Sequence, residues 1–229
     1  MSAKKFMNRQ LLSAFLVSVA CNTSSGATTT FDGTTAKAIV AARAAVPADS
    51  FTQRIDAARI AGDSTAKVWM IMASDFQCPY CKQWHDESFA ALRREYVDNG
   101  KVRLAYYNFP LTIHPNAVPA AEAAMCAGAQ NKFWPMHDAL FASQATWAGL
   151  KDPSAVFDSL GVKVGLDARS FNTCRTTHAT LPMIKADQDR AERAGVQSTP
   201  TIIIGNKLIA GALPTDTFRR ALDAALAAK

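Results

Sequence analysis

The sequence predicts an α/β frame interrupted by an all-helical subdomain, and three observations carry that prediction. A strand-like run, Val68 to Ala73, leads through a helix-like run, Lys82 to Asp98, into a second strand-like run, Val102 to Asn108. Strand, helix, strand in that order is the pattern of a parallel βαβ unit. Residues 116–195 then turn Ala-rich and polar, with helical runs near 117–130, 135–145, 152–160, 167–178 and 183–194 separated by Gly and Pro. Finally, Thr201 to Ile204, the turn Gly205-Asn206 and Lys207 to Ala210 read as an antiparallel hairpin. Thr215 to Ala228 follows as a closing helix, with Thr215 or Asp216 as its cap.

The N-terminus has the layout of an export signal over residues 1–20. Lys4, Lys5 and Arg9 form a positive region, Leu11 to Ala20 an apolar one, and Ser18-Val19-Ala20 a small-residue cleavage site. A short core helix is the plainer alternative. Residues 21–58 form a linker with short helices. Asn22 to Thr30 is polar, Thr35 to Ala45 is a short Ala-rich helix, and Asp49 to Ala61 is a helix capped by Asp49 or Ser50. Gly62-Asp63-Ser64 is a turn. Val68 to Ala73 is apolar throughout, as a strand covered on both faces must be. The following helix carries Trp84, Phe89, Leu92 and Tyr96 on one stripe and ends at Asn99-Gly100. Phe109 to Pro115 is a proline-punctuated loop.

Charge excludes little. The chain has 25 basic and 19 acidic residues, and without Lys4, Lys5 and Arg9 the balance is 22 to 19. No basic helix with interleaved aromatics is present, so a nucleic-acid partner is not expected. Export implies an oxidising compartment, where disulfides persist. The five cysteines are Cys21, Cys78, Cys81, Cys126 and Cys174. Cys78 and Cys81 make one pair, and Cys126 and Cys174 could make another, a structural disulfide, against the alternative of two buried thiols packing as small hydrophobes. Cys21 directly follows the cleavage site and resembles a lipoprotein start. Ser18 stands where that pattern usually has Leu, and cleavage that leaves a soluble protein is the equal alternative.

The stretch Asp75-Phe76-Gln77-Cys78-Pro79-Tyr80-Cys81 stands at the junction of the first strand and its helix. Pro79 suits the first helical turn, because its missing N–H would be unpaired there anyway. The helix then aims its free N–H groups and positive dipole end at Cys78, favouring the thiolate, which is the nucleophile. Cys81 lies one turn in, within reach of a disulfide. A zinc half-site is the rival reading. It needs a second ligand pair, and His85, four residues after Cys81, would supply a third ligand alone. His85, His114, His137 and His178 are scattered along the chain and read as surface or packing residues. No metal is expected.

Ser198-Thr199-Pro200-Thr201 precedes a strand, and Pro200 must sit at its start or in a turn. Together with SDFQCPYC, KFWPMHDALF at 132–141, GVQSTPTIIIG at 195–205 and GALP at 211–214, this resembles the DsbA-like branch of exported thiol-disulfide oxidoreductases of the thioredoxin superfamily. One departure is Pro135, where an acidic residue is common. The resemblance covers roughly residues 59–229. It implies a thioredoxin fold, a central mixed sheet flanked by helices, formed by 59–115 and 196–229, with 116–195 as the helical insertion. It also implies a cis Thr199–Pro200 peptide lying against the Cys78–Cys81 pair, with Thr199 and Pro200 receiving an extended substrate segment, as in strand-like capture. A disulfide in the insertion, as between Cys126 and Cys174, occurs in some such relatives.

The expected function is disulfide introduction into protein or peptide thiols by Cys78 and Cys81, in a monomer with no cofactor, reoxidised by a membrane partner and located outside the cytoplasm. Pro79, Tyr80 and Asp75 are supporting residues. Asp75 is a candidate to move the proton of Cys81, or else a solvated residue or cap. Tyr80 is neutral, so strong oxidant character does not follow. A reductase, an isomerase, or a thiol-based metal- or client-binding protein are the alternatives.

Overall fold

The computed structural model describes residues 50–228. The export signal, Cys21, the polar linker, the helix at 35–45 and the Asp49 cap lie outside the described residues.

A five-stranded mixed sheet has the order β1-β3-β2-β4-β5. Helix α1 (Ser50–Ala58) precedes β1 (Ile60–Ala61). Strands β2 (Val68–Ser74) and β3 (Val102–Asn108) run parallel, in register from Val68 opposite Val102 to Ser74 opposite Asn108. Between them runs α2, which begins as an α-helix at Pro79–Trp84 and continues to Val97. Strands β4 (Thr201–Ile204) and β5 (Lys207–Ala210) form the hairpin, with β4 antiparallel to β2. Helix α9 (Thr215–Ala227) closes the chain. This is the thioredoxin fold that the sequence led us to expect. Between β3 and β4 lie α3 (Ala117–Gly128), α4 (Phe133–Ala142), α5 (Gln144–Trp147), α6 (Ser154–Lys163), α7 (Ala168–Thr176) and α8 (Leu181–Arg193).

Strand β2 is apolar from Val68 to Ala73 because both its faces are covered. Met70 and Met72 enter the larger core, with Leu104, Tyr106, Ile202 and Ile204. Ile71 and Ala73 face a smaller core completed by Ala191, Ala194 and Val196, at and just beyond the end of α8. The insertion thus leaves on one face of the sheet and returns on the other.

Three local expectations need correction. The helix read through Ala61 stops at Ala58, and Ile60 and Ala61 instead pair with Ala105 and Leu104 as an edge strand. A two-residue strand has no periodicity to announce it. Gly62 then turns the chain at φ 93°, and a Cβ there would sit 2.4 Å from the Val102 carbonyl oxygen. Second, α2 contains π turns at His85–Phe89 and Arg93–Val97. The five-residue step from Trp84 to Phe89 is the trace of the first, and both rings are buried. Third, neither Thr215 nor Asp216 caps α9. The Thr215 hydroxyl instead donates to the Glu87 carbonyl at 3.1 Å and lies 2.8 Å from the Ser88 hydroxyl, joining α9 to α2.

Cys126 on α3 is bonded to Cys174 on α7, 48 residues away. Closing a loop of that length contributes about 4 kcal/mol on the chain-entropy estimate. The ends of the insertion are held by charge as well. Asp187 of α8, fully buried, accepts from the Arg59 guanidinium, from the Asn108 amide at 3.2 Å and from Asn108 Nδ2 at 2.9 Å. Arg59 keeps Asp56 and the Tyr106 carbonyl as partners, so Asp187→Ala is expected to cost about 1.5–3 kcal/mol in urea unfolding, the worth of hydrogen bonds to a charged group. A loss below about 1 kcal/mol would show that this clasp does not hold the insertion to the sheet.

Candidate active site

Cys78 is the N-cap of α2, in extended backbone (φ −66°, ψ 126°), and Pro79 occupies the first helical position. The Cys78 amide donates to the Asp75 carbonyl at 3.2 Å, and its carbonyl accepts from Lys82 N at 3.1 Å. Strand β2 therefore passes into α2 through one tight turn. The thiols of Cys78 and Cys81 are both free. Cys78 is 3% exposed and Cys81 1%.

Their environments differ in sign. A hydrogen bond from the Cys81 thiol is the largest influence on Cys78. Burial opposes it, and the Thr199 side chain and the amides of Cys81 and Tyr80 reinforce it, so that the pKa of Cys78 falls from 9.0 to about 6. The two amides are donors that a helix start leaves unpaired. Cys81 goes the other way. Burial pushes its thiol well up, and the neighbouring Cys78 sulfur adds to the effect, against weaker help from Ser74 and the Asp75 amide. Cys78 is the sulfur that ionises, and Cys81 keeps its proton.

The peptide bond Thr199–Pro200 is cis. The Cys78 thiol lies 3.6 Å from the Thr199 carbonyl oxygen, to which it donates. Tyr80, at 63% exposure, is a large ring standing in solvent beside the pair. The structure thus brings Cys78, Cys81, Tyr80, Thr199 and Pro200 to one place. Cys126 and Cys174 are bonded to each other elsewhere in the insertion.

The Asp75 carboxylate has partners of its own. Asp75 is 2% exposed, so the solvated alternative does not apply. Its Oδ1 accepts from the Gln77 amide at 2.7 Å. Its Oδ2 accepts from the Leu111 amide at 3.0 Å and lies 2.7 Å from His114 Nδ1. What reaches Cys81 is the Asp75 main chain, whose amide donates to Cys81 Sγ at 3.4 Å. The side chain ties the redox turn to the loop at 109–115.

The sequence reading missed the residues that hold this turn from the insertion. Gln144 Nε2 donates to the carbonyls of Phe76, at 2.7 Å, and Cys78, at 3.1 Å. Gln77 Nε2 donates to the Ala148 carbonyl at 2.8 Å, and its Oε1 accepts from the Asn116 amide at 2.6 Å. Asn116 Nδ2 in turn donates to the Leu150 carbonyl at 2.8 Å. His114 and Asn116 flank a proline in a loop already marked by prolines, which is a weak signal. Nothing in the sequence links Gln144 to Cys78. The histidines, read as scattered, are not all apart: His85, His137 and Asp138 converge across α2 and α4.

A parallel strand delivering a cysteine pair to a helix start, opposite a cis-proline loop, defines a thioredoxin-type redox protein with a helical insertion. The chain belongs to the thioredoxin family, whose model, described as Thioredoxin, matches residues 54–224. Among solved structures it is similar to BdbD from Bacillus subtilis in its oxidised form. The TM-score is 0.67, with 20% identity, over 74% of this chain and 92% of that one. It is 28% identical over 171 residues to the "Probable disulfide bond formation protein D" of Bacillus anthracis, covering 71% of this chain and 75% of that protein. It is also 33% identical over 175 residues to the Na(+)/H(+) antiporter NhaA 1 of Salinispora arenicola. That match covers 75% of this chain and 25% of the antiporter, so the chain spans about a quarter of that relative's length.

The thiolate is directly measurable. Absorbance near 240 nm of the reduced protein is expected to rise with a midpoint near pH 6, and Cys78→Ser should remove that step. The folded pKa lies below the ordinary value of 9.0, so the stabilisation it lends the reduced fold is complete above about pH 9 and is lost as pH falls through 6. A midpoint near 9 would overturn this account of the donors around Cys78.

Proposed function

We propose that this chain is an extracytoplasmic thiol-disulfide oxidoreductase that introduces disulfides into protein or peptide thiols. The single observation that carries the reading is the opposed pair of sulfurs, with Cys78 acidic at the helix start and Cys81 buried and protonated, beside the Thr199–Pro200 loop. The name of the Bacillus anthracis relative points the same way.

In the oxidising direction a substrate thiolate attacks Cys78 Sγ in the Cys78–Cys81 disulfide. The bond between the two sulfurs breaks, and Cys81 leaves with the electron pair and takes up a proton. A second substrate thiolate then attacks the substrate sulfur of the mixed disulfide and expels Cys78 as thiolate. Its pKa of about 6 makes it a good leaving group. The substrate loses two electrons and the enzyme gains them. Turnover then needs an oxidant, for which a membrane redox partner is the proposed source. The Thr199 main chain, next to Cys78, suits capture of an extended segment by strand-like pairing. Asp75 acts as a positioning residue, through its amide to Cys81 and its carboxylate to the 109–115 loop. Run in reverse, Cys78 attacks a substrate disulfide and Cys81 resolves the intermediate, so the same site serves a reductase or isomerase. The potential chooses between them.

The export layout of residues 1–20 supports an extracytoplasmic setting, with Cys21 as a lipid anchor if it is acylated. Among the described residues, no helix is long and apolar enough to cross a membrane. We propose a monomer, with residues 59–115 and 196–229 as the redox domain and 116–195 as its insertion.

Redox titration against glutathione tests the direction. A pKa of about 6 lies between about 7 for thioredoxin and about 3.5 for DsbA. The expected potential is accordingly between about −270 and −120 mV. A value at or below the thioredoxin end would assign a reductase. Cys78→Ser should abolish peptide thiol oxidation, and turnover retained in that variant would sink the catalytic assignment altogether.

A further inference from the structure

The cluster of His85, His137 and Asp138 has no part in the redox chemistry. His85 stands on α2, four residues past Cys81, and His137 and Asp138 are on α4. One donor atom from each lies within 4.8 Å of the others. His85 Nε2 is 3.4 Å, and His137 Nδ1 2.8 Å, from the same Asp138 Oδ1. The three side chains grade from buried to open: His137 is 0% exposed, His85 16% and Asp138 51%.

Two further features set the rings up as ligands. The outer nitrogen of His85, Nδ1, lies 3.1 Å from Asp86 Oδ1. A carboxylate at one ring nitrogen holds the proton there and turns the other lone pair inward, the outer partner that metal-bound histidines usually have. His137 Nε2 is buried and has no hydrogen-bond partner. The helix also changes to a π turn at His85, a local register shift that recurs at functional sites.

We propose that His85 Nε2, His137 Nδ1 and Asp138 Oδ1 form a site for a divalent transition cation, zinc in the first place. Two imidazoles and one carboxylate are the donor set such an ion takes, and an all-oxygen preference disfavours calcium or magnesium. The half-open Asp138 side leaves room for water as a fourth ligand. A cation here would cross-link the redox helix to the insertion one turn below the cysteine pair, without using a thiol.

The test uses the whole protein with Cys21→Ser and in its Cys78–Cys81 disulfide form, so that no free thiol can bind. Zinc titration is expected to show one ion per chain, with affinity at least about tenfold weaker in His85→Ala and about 10- to 100-fold weaker in Asp86→Asn. Zinc should raise the melting temperature of the parent, and raise that of His85→Ala by less at the same zinc concentration. With Co2+, the parent should show visible d–d bands without a sulfur charge-transfer band. Absence of stoichiometric zinc, unchanged binding in His85→Ala, or a thiolate band on cobalt would each overturn the proposal. His137 is left intact because its ring is packed among aromatic side chains and its loss would confound folding with binding.

Discussion

Two sulfurs one helical turn apart are held in opposite electrostatic surroundings, and most of the chain around them maintains that opposition. Cys78 takes the donors that a helix N-terminus cannot use internally, together with the thiol of its partner. Cys81, three residues on, is turned into the core, where charge is expensive. Neither condition is met by a helix alone. The first requires a sharp entry from β2, which the Asp75–Cys78 turn supplies. The second requires that the first turn of α2 be held against the core, where the end of β2 meets Cys81 through the Asp75 amide.

The insertion fixes the turn that precedes α2. Gln144 reaches the two carbonyls that bracket Gln77, while Gln77 itself is tied to Asn116 and Ala148. Beneath them, Phe76 stacks on Tyr106 with ring centroids 5.0 Å apart and meets Phe141 at 5.1 Å, joining the redox turn to β3 and α4. The turn is thus fixed by main-chain acceptors on one side and by aromatic packing on the other. The Asp187 clasp ties the insertion to Arg59 and Asn108, and the Cys126–Cys174 bond joins two helices within the insertion.

How much of this was legible depends on the distance over which each signal acts. The parallel βαβ unit showed itself because a strand covered on both faces is an apolar run, as from Val68 to Ala73. The start of α2 showed itself because Pro79 and the cysteine spacing are local chemistry. The hairpin and closing helix were legible for the same reason. The edge strand Ile60–Ala61 was not, since its hydrogen bonds depend on β3, more than forty residues away. The cap expected at Thr215 failed because a hydroxyl on α2 and a carbonyl nearby compete for that side chain. Asp75 was noticed by its nearness to Cys78, yet its carboxylate answers to Leu111 and His114, which no spacing rule brings to it.

The sequence by itself determined the fold class, the helical character of the insertion and the cysteine pair at a helix start, because each rests on periodicity or on contacts within a few residues. Tertiary structure alone decided which carbonyls Gln144 satisfies, where the Asp75 carboxylate points, and that His85 meets His137 and Asp138. Those outcomes depend on two segments of different origin being packed together. A buried polar group takes whatever partner the packing delivers, since leaving it unpaired costs more than the bond itself returns.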